Sequence, residues 1–126
     1  MKTLGQVLDE IDRLRPNGYE PEEKTEWLNE LAARIQTDVW LAPADRLIQY
    51  DYSRDAETAL LLDESHERMY SAYLAMMIDY ANGEYDKYQN SAAMFNSLWA
   101  NYAAWYANEF GPADWRDGKN GMEVTP

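Results

Sequence analysis

The chain has 126 residues and no cysteine, with 11 Lys and Arg against 23 Asp and Glu, a formal charge of −12 and a pI near 4.3. Without thiols there is no disulfide framework, zinc–thiolate site or thiol nucleophile. So acidic a chain also disfavours direct binding to a nucleic-acid backbone, which needs clustered cations.

The length suits one domain with a modest core. No stretch approaches the roughly 18–20 apolar residues of a membrane span. The opening MKTLGQVLDEIDRL carries acids where a signal peptide needs an apolar run, so the chain is expected to be soluble and cytoplasmic. The negative charge fits a basic partner, or a surface that must not adhere to DNA; solubility alone explains it equally well.

Residues 3–15 read as a short helix. Thr3 and Gln6 have capping-box spacing, and Leu4, Val7, Leu8, Ile11 and Leu14 fall on one face. Pro16 and Asn17-Gly18 stop it. A second helix is expected from Pro21 to about Leu41, with Glu22 and Glu23 at its positive end. Its stripe is Leu28, Leu31, Ile35 and Val39, flanked by Trp27 and Trp40. After Pro43 the stretch 42–62 has no sustained period. It reads as a long structured loop, with a short helical turn near Ala44–Ile48 and a weighed but unpaired β-hairpin through Ile48–Tyr52.

The helical period returns near Glu64, with Asp63 as N-cap and Tyr70, Tyr73, Leu74, Met77 and Ala81 as its stripe. Asn82-Gly83 breaks it. A last helix runs to Phe110, with Tyr85, Tyr88, Phe95, Trp99, Tyr102, Tyr106 and Phe110 at mostly three- and four-residue steps, and it spans about 39 Å. Gly111-Pro112 ends it. Of 17 aromatic residues, 11 lie between Tyr70 and Phe110, which makes this pair of helices the expected core. The fold class is all-α: two N-terminal helices, the loop and a long antiparallel C-terminal hairpin form a single helical domain over 1–110, and 111–126 is an extended tail.

Catalytic vocabulary is sparse. The single histidine, His66, sits in DESHERM, whereas a ferritin-like dimetal centre needs a Glu-x-x-His unit on each of two helices. A lone divalent site at Asp63, Glu64 and Glu67 is the lesser alternative to an acidic first turn favoured by the helix dipole. No serine lies in a Gly-x-Ser-x-Gly context, and GPADWRDGK lacks phosphate-loop spacing. No enzymatic activity, cofactor or metal is expected.

One feature exceeds ordinary core patterning. From Tyr85 to Phe110 only Asp86, Lys87 and Glu109 are charged. A solvated helix in this chain should carry Glu and Lys, as the second helix does. Ala93, Asn96, Ala100, Asn101, Ala104 and Asn108 instead form a small, uncharged face suited to close approach by a neighbouring subunit. A fully internal helix is the competing account. Arg46, Tyr50, Tyr52 and Arg54 in the loop, with Trp115 and Arg116 in the tail, are expected to contact adjoining proteins.

The stretch from Asp55 to Phe110, above all IDYANGEYDKY followed by Met94-Phe95-Asn96, resembles small proteins encoded in the head–tail joining region of tailed bacteriophages and prophages of Gram-positive bacteria. The opening LGQVLDEIDRLRPNGYEPEEKTEWLNELAARI is similar to theirs as well. Glu20 departs from the pattern, standing where Ser, Thr or Asp would cap the second helix.

The resemblance implies a head–tail connector, or adaptor. Such a subunit forms a ring, commonly twelvefold, beneath the portal protein and extends the DNA channel toward a stopper or tail-completion protein. It implies residence in the virion neck, with the host cytoplasm as the place of assembly, and no catalytic residues. The rival reading is a small acidic DNA mimic that inhibits a host nuclease. Mimicry requires acids concentrated on one surface, whereas here they are spread over the first two helices and the loop. A helix-turn-helix regulator is disfavoured by the lack of a basic recognition helix.

Overall fold

A computed structural model describes residues 1–110. The expected tail, with Trp115 and Arg116, lies outside the described residues.

Helix α1 spans Leu4–Leu14 and opens on the expected capping box. The Gln6 N–H donates to Thr3 Oγ1 at 3.2 Å, and the Thr3 N–H to Gln6 Oε1 at 3.0 Å. Leu4, Val7, Leu8 and Ile11 are buried. Leu14 is 58% exposed and does not belong to the stripe. It is the last helical residue, because the chain leaves helical geometry at Arg15, so its apolar spacing runs past the end of the buried face.

Helix α2 spans Pro21–Arg34. At its start the Glu20 N–H donates to Glu23 Oε1 at 3.1 Å, in the capping-box arrangement. The regular helix stops short of Leu41 because Ile35–Val39 form a π-helical turn, closed by Trp40 N–H on the Ile35 carbonyl at 3.0 Å. The wider turn re-aims the residues that follow it. Trp40 is 1% exposed, donates through Nε1 to the Tyr102 hydroxyl at 2.9 Å, and stacks on Tyr106. Leu41 directly after it has φ +56°.

The segment 42–62 is stitched to the first two helices. It contains a 3₁₀ turn, Ala44–Arg46, and a one-turn helix α3, Tyr52–Asp55. Between them, two side-chain amides of the preceding helical segment replace a neighbouring strand. Asn29 donates to the Tyr50 carbonyl and accepts from the Tyr50 N–H, both at 2.8 Å. Gln36 donates to the Ile48 carbonyl at 3.1 Å and accepts from the Ile48 N–H at 2.8 Å. The weighed hairpin through Ile48–Tyr52 is therefore absent: the backbone there is already satisfied by the amides.

Farther on, Leu4 N–H bonds the Thr58 carbonyl and Gly5 N–H the Ala56 carbonyl, supplying partners for two of the donors that a helix start leaves open. A β-carbon on Gly5 would stand 2.9 Å from the Ala56 oxygen, so only glycine permits this approach. Thr3 and Ala59 make an isolated antiparallel bridge, and no strand forms among the described residues.

Leu60, Leu61 and Leu62 are buried and lead to a 3₁₀ turn, Glu64–His66, with helix α4 following at Arg68–Ala81. Helix α4 begins later than expected, since the Asp63 carboxylate binds the Ser65 hydroxyl and His66 ring and caps no backbone N–H. Tyr70, Tyr73, Leu74 and Ile78 are buried, Met77 only partly, and Ala81 is exposed. Gly83, at φ +72°, sits in the turn between α4 and helix α5, Tyr85–Phe110.

Contacts between these elements run in opposite chain directions. Asp79 meets Ser91, Tyr73 meets Phe95 with ring centroids 5.1 Å apart, and His66 meets Tyr102 at 4.9 Å. The molecule is all-α. No helix among the described residues is long and apolar enough to cross a membrane.

Candidate functional site

Helix α5 buries a narrow strip, Ser91, Phe95, Tyr102 and Tyr106, flanked by partly buried Leu98, Trp99 and Trp105. The strip starts at Ser91: Tyr85 is 61% exposed and Tyr88 half-buried, so the first turn lies outside the core. Arg34 on α2 places its guanidinium carbon 4.3 Å from the Trp99 ring centroid, which shields that ring from one side.

Ala93, Asn96, Ala100, Asn101, Ala104 and Asn108 are all exposed and share the side of α5 away from the strip. The amide groups of Asn96, Asn101 and Asn108 have no hydrogen-bond partner among the described residues. Small side chains let another backbone approach closely, and free amides can satisfy its polar groups. No charge has to be stripped of water in the process. The face is thus open rather than internal.

The loop residues do not form a comparable surface. Tyr50 is 8% exposed and belongs to the core, so it is not the surface contact expected of it. Burial, assisted by the Asp55 charge, pushes its hydroxyl up to about 12. It was drawn inward because Asn29 holds its backbone against α2. Tyr52 is half-buried, and Arg46 and Arg54 are exposed. Arg54 already forks onto Asp55 through Nε at 3.0 Å and Nη2 at 2.7 Å. That contact, with the Asp51 N–H, holds the Asp55 carboxyl down to about 2.

The acids around His66 diverge. Asp63 lies 2.9 Å from His66 Nδ1, Glu64 faces the Met1 amine at 3.3 Å, and Glu67 accepts the Lys2 N–H at 2.5 Å. Burial pushes the Asp63 carboxyl up, but hydrogen bonds from Ser65 and His66 outweigh it and hold it below its ordinary value. The His66 ring packs on Tyr102 and on Trp105, the latter at 4.5 Å. Among the described residues no three acidic or histidine side chains converge to hold a metal.

Sequence reasoning missed that the turn carries an exposed aromatic cluster. Tyr80 is 57% exposed, and its ring lies 6.1 Å from Tyr85 and 5.4 Å from Tyr88. The Asn82-Gly83-Glu84 turn between them was the available signal, because it places Tyr80 and Tyr85 at the ends of their helices. Neither a protein-family model, nor a curated protein, nor a solved structure matches the chain.

Proposed function

We propose that the protein is a structural virion subunit, a head–tail connector that assembles into a ring beneath a portal and lines a continuation of the DNA channel. The observation that carries the reading is the exposed side of α5, which bears no charged residue between Lys87 and Glu109 in a chain of charge −12. Such a face suits repeated packing of one subunit against the next, with different patches meeting around a closed ring. Acidic residues elsewhere suit a wall past which DNA slides without adhering. The sequence resemblance supplies the portal above and the stopper or tail-completion protein below as partners, with the 42–62 loop and the tail as the segments that would reach them.

The test is binding to portal-bearing capsids. Ala100→Glu and Ala104→Arg should fold normally by circular dichroism yet fail to join capsids, since charge and bulk are poorly tolerated in close contacts. Capsid binding equal to the unaltered protein by both variants removes this face from the interface. If the unaltered protein ignores capsids and instead competes with DNA for a host nuclease, the inhibitor reading replaces the connector.

A further inference from the structure

Two patches elsewhere are complementary to each other. Overlapping depressions of about 190 and 250 Å³ lie where the end of α1 meets α4 and α5. Their rim carries Leu14, 58% exposed, and Met94, 50% exposed. No acidic side chain lines either depression; the charged residues there are Arg15 and Arg68. Arg15 is paired with Asp79, whereas the exposed Arg68 guanidinium has no ion pair or hydrogen bond among the described residues.

The turn between α4 and α5 has the opposite character. Tyr80 and Tyr85 are its exposed apolar surface, and the exposed Asp86 carboxylate beside them also lacks a partner among the described residues. Lys87 does not neutralise it, being engaged with Glu84 at 3.0 Å. An unpaired cation beside exposed aliphatic side chains, and an unpaired anion beside exposed aromatic rings, are thus on two different parts of one chain.

We infer that the occupant of the groove is a second copy of this chain, whose α4–α5 turn seats Tyr80 and Tyr85 against Leu14 and Met94 and brings Asp86 to Arg68. Because the patches differ, the contact is head-to-tail and each copy keeps one free patch for another. Burial of four exposed large apolar side chains supplies the attraction, and the charge pair selects the register. This contact meets α5 at Met94 and not at Ala93, Asn96, Ala100, Asn101, Ala104 or Asn108, and stands without the connector reading: capsid binding can fail while self-association persists.

Sedimentation velocity over a concentration series tests it. The unaltered protein should self-associate with rising concentration, less so at high salt, because the charge pair lies at the rim. Arg68→Asp and Asp86→Arg should each move the association midpoint upward by about tenfold or more, while the charge-swapped double variant should return close to the starting midpoint. Both side chains are exposed and unpaired, so helical content by circular dichroism should not change. A chain that stays monomeric throughout the series overturns the inference. So does a double variant no better than the singles, or a Met94→Glu variant that abolishes association while Asp86→Arg leaves it intact, which would mean groove against groove.

Discussion

Arg15, the residue that closes α1, pairs its guanidinium with the Asp79 carboxylate on α4, and the Asp79 side chain is wholly buried while that of Arg15 is about one-third exposed (34%). Ser91 on α5 donates its hydroxyl to the other Asp79 oxygen at 2.5 Å. Three helices are therefore joined at one carboxylate, next to the turn at Gly83.

Removing Arg15 strands that carboxylate with a single hydroxyl partner. Arg15→Ala should lower stability by about 3 kcal/mol, the low end for breaking a buried pair because Arg15 itself keeps some water. Asp79→Asn, which preserves shape and the Ser91 contact, should cost less. Urea midpoints of the two variants check the order; equal midpoints would mean the pair is solvated.

The amide contacts to the loop should behave as paired bonds. Asn29→Ala or Gln36→Ala leaves one N–H and one carbonyl unpartnered, and each should cost about 1–3 kcal/mol. Hydrogen exchange distinguishes this from general loosening: the Ile48 amide should lose protection in Gln36→Ala and the Tyr50 amide in Asn29→Ala.

Tyr102 and Trp99 are adjacent on α5 in sequence role but not in burial. Tyr102 is 0% exposed and holds the Trp40 indole N–H. Tyr102→Ala should cost about 3–5 kcal/mol, and Tyr102→Phe about 1–2 kcal/mol for the lost hydrogen bond from the Trp40 indole. Trp99→Ala should fall below Tyr102→Ala in a thermal melt, because part of the Trp99 ring already faces outward.

Leu41 offers a stabilising change. Its φ of +56° is unfavourable for a side chain with a β-carbon, and it is 52% exposed. Leu41→Gly should therefore raise stability by up to about 1 kcal/mol, seen as a higher melting temperature. A lower melting temperature would show that the Leu41 side chain contributes packing that outweighs the backbone relief.

Alkali should unfold the protein. Burial raises the hydroxyls of Tyr70 and Tyr102, and it pushes Tyr73, beside Glu30, up to about 12 and Tyr50 to about 12. Above pH ~10 the unfolded chain releases these protons while the native state keeps them. The native state then binds more protons, so stability is complete below that pH and falls as pH rises toward 12. The slope approaches about 1.4 kcal/mol per pH unit for each such tyrosine. Denaturant midpoints at stepped pH, unchanged from pH 9 to 12, would contradict this.

Periodicity and stop signals by themselves determined that this chain is helical, where α1 begins at its Thr3 cap, and where Asn82-Gly83 separates α4 from α5. They also marked the low-charge side of α5, because charge content is a property of residue types and needs no partner. What only the tertiary structure decided was which apolar residues the core reaches. Leu14, Tyr80 and Tyr85 obey helical spacing as well as Ile11 and Tyr102 do, yet they lie past the ends of the surfaces their helices share. The π-helical turn before Trp40 and the capture of the loop by Asn29 and Gln36 were equally hidden. Each depends on groups 12 to 62 positions apart in the chain meeting in space, and local propensity carries no information about such a meeting.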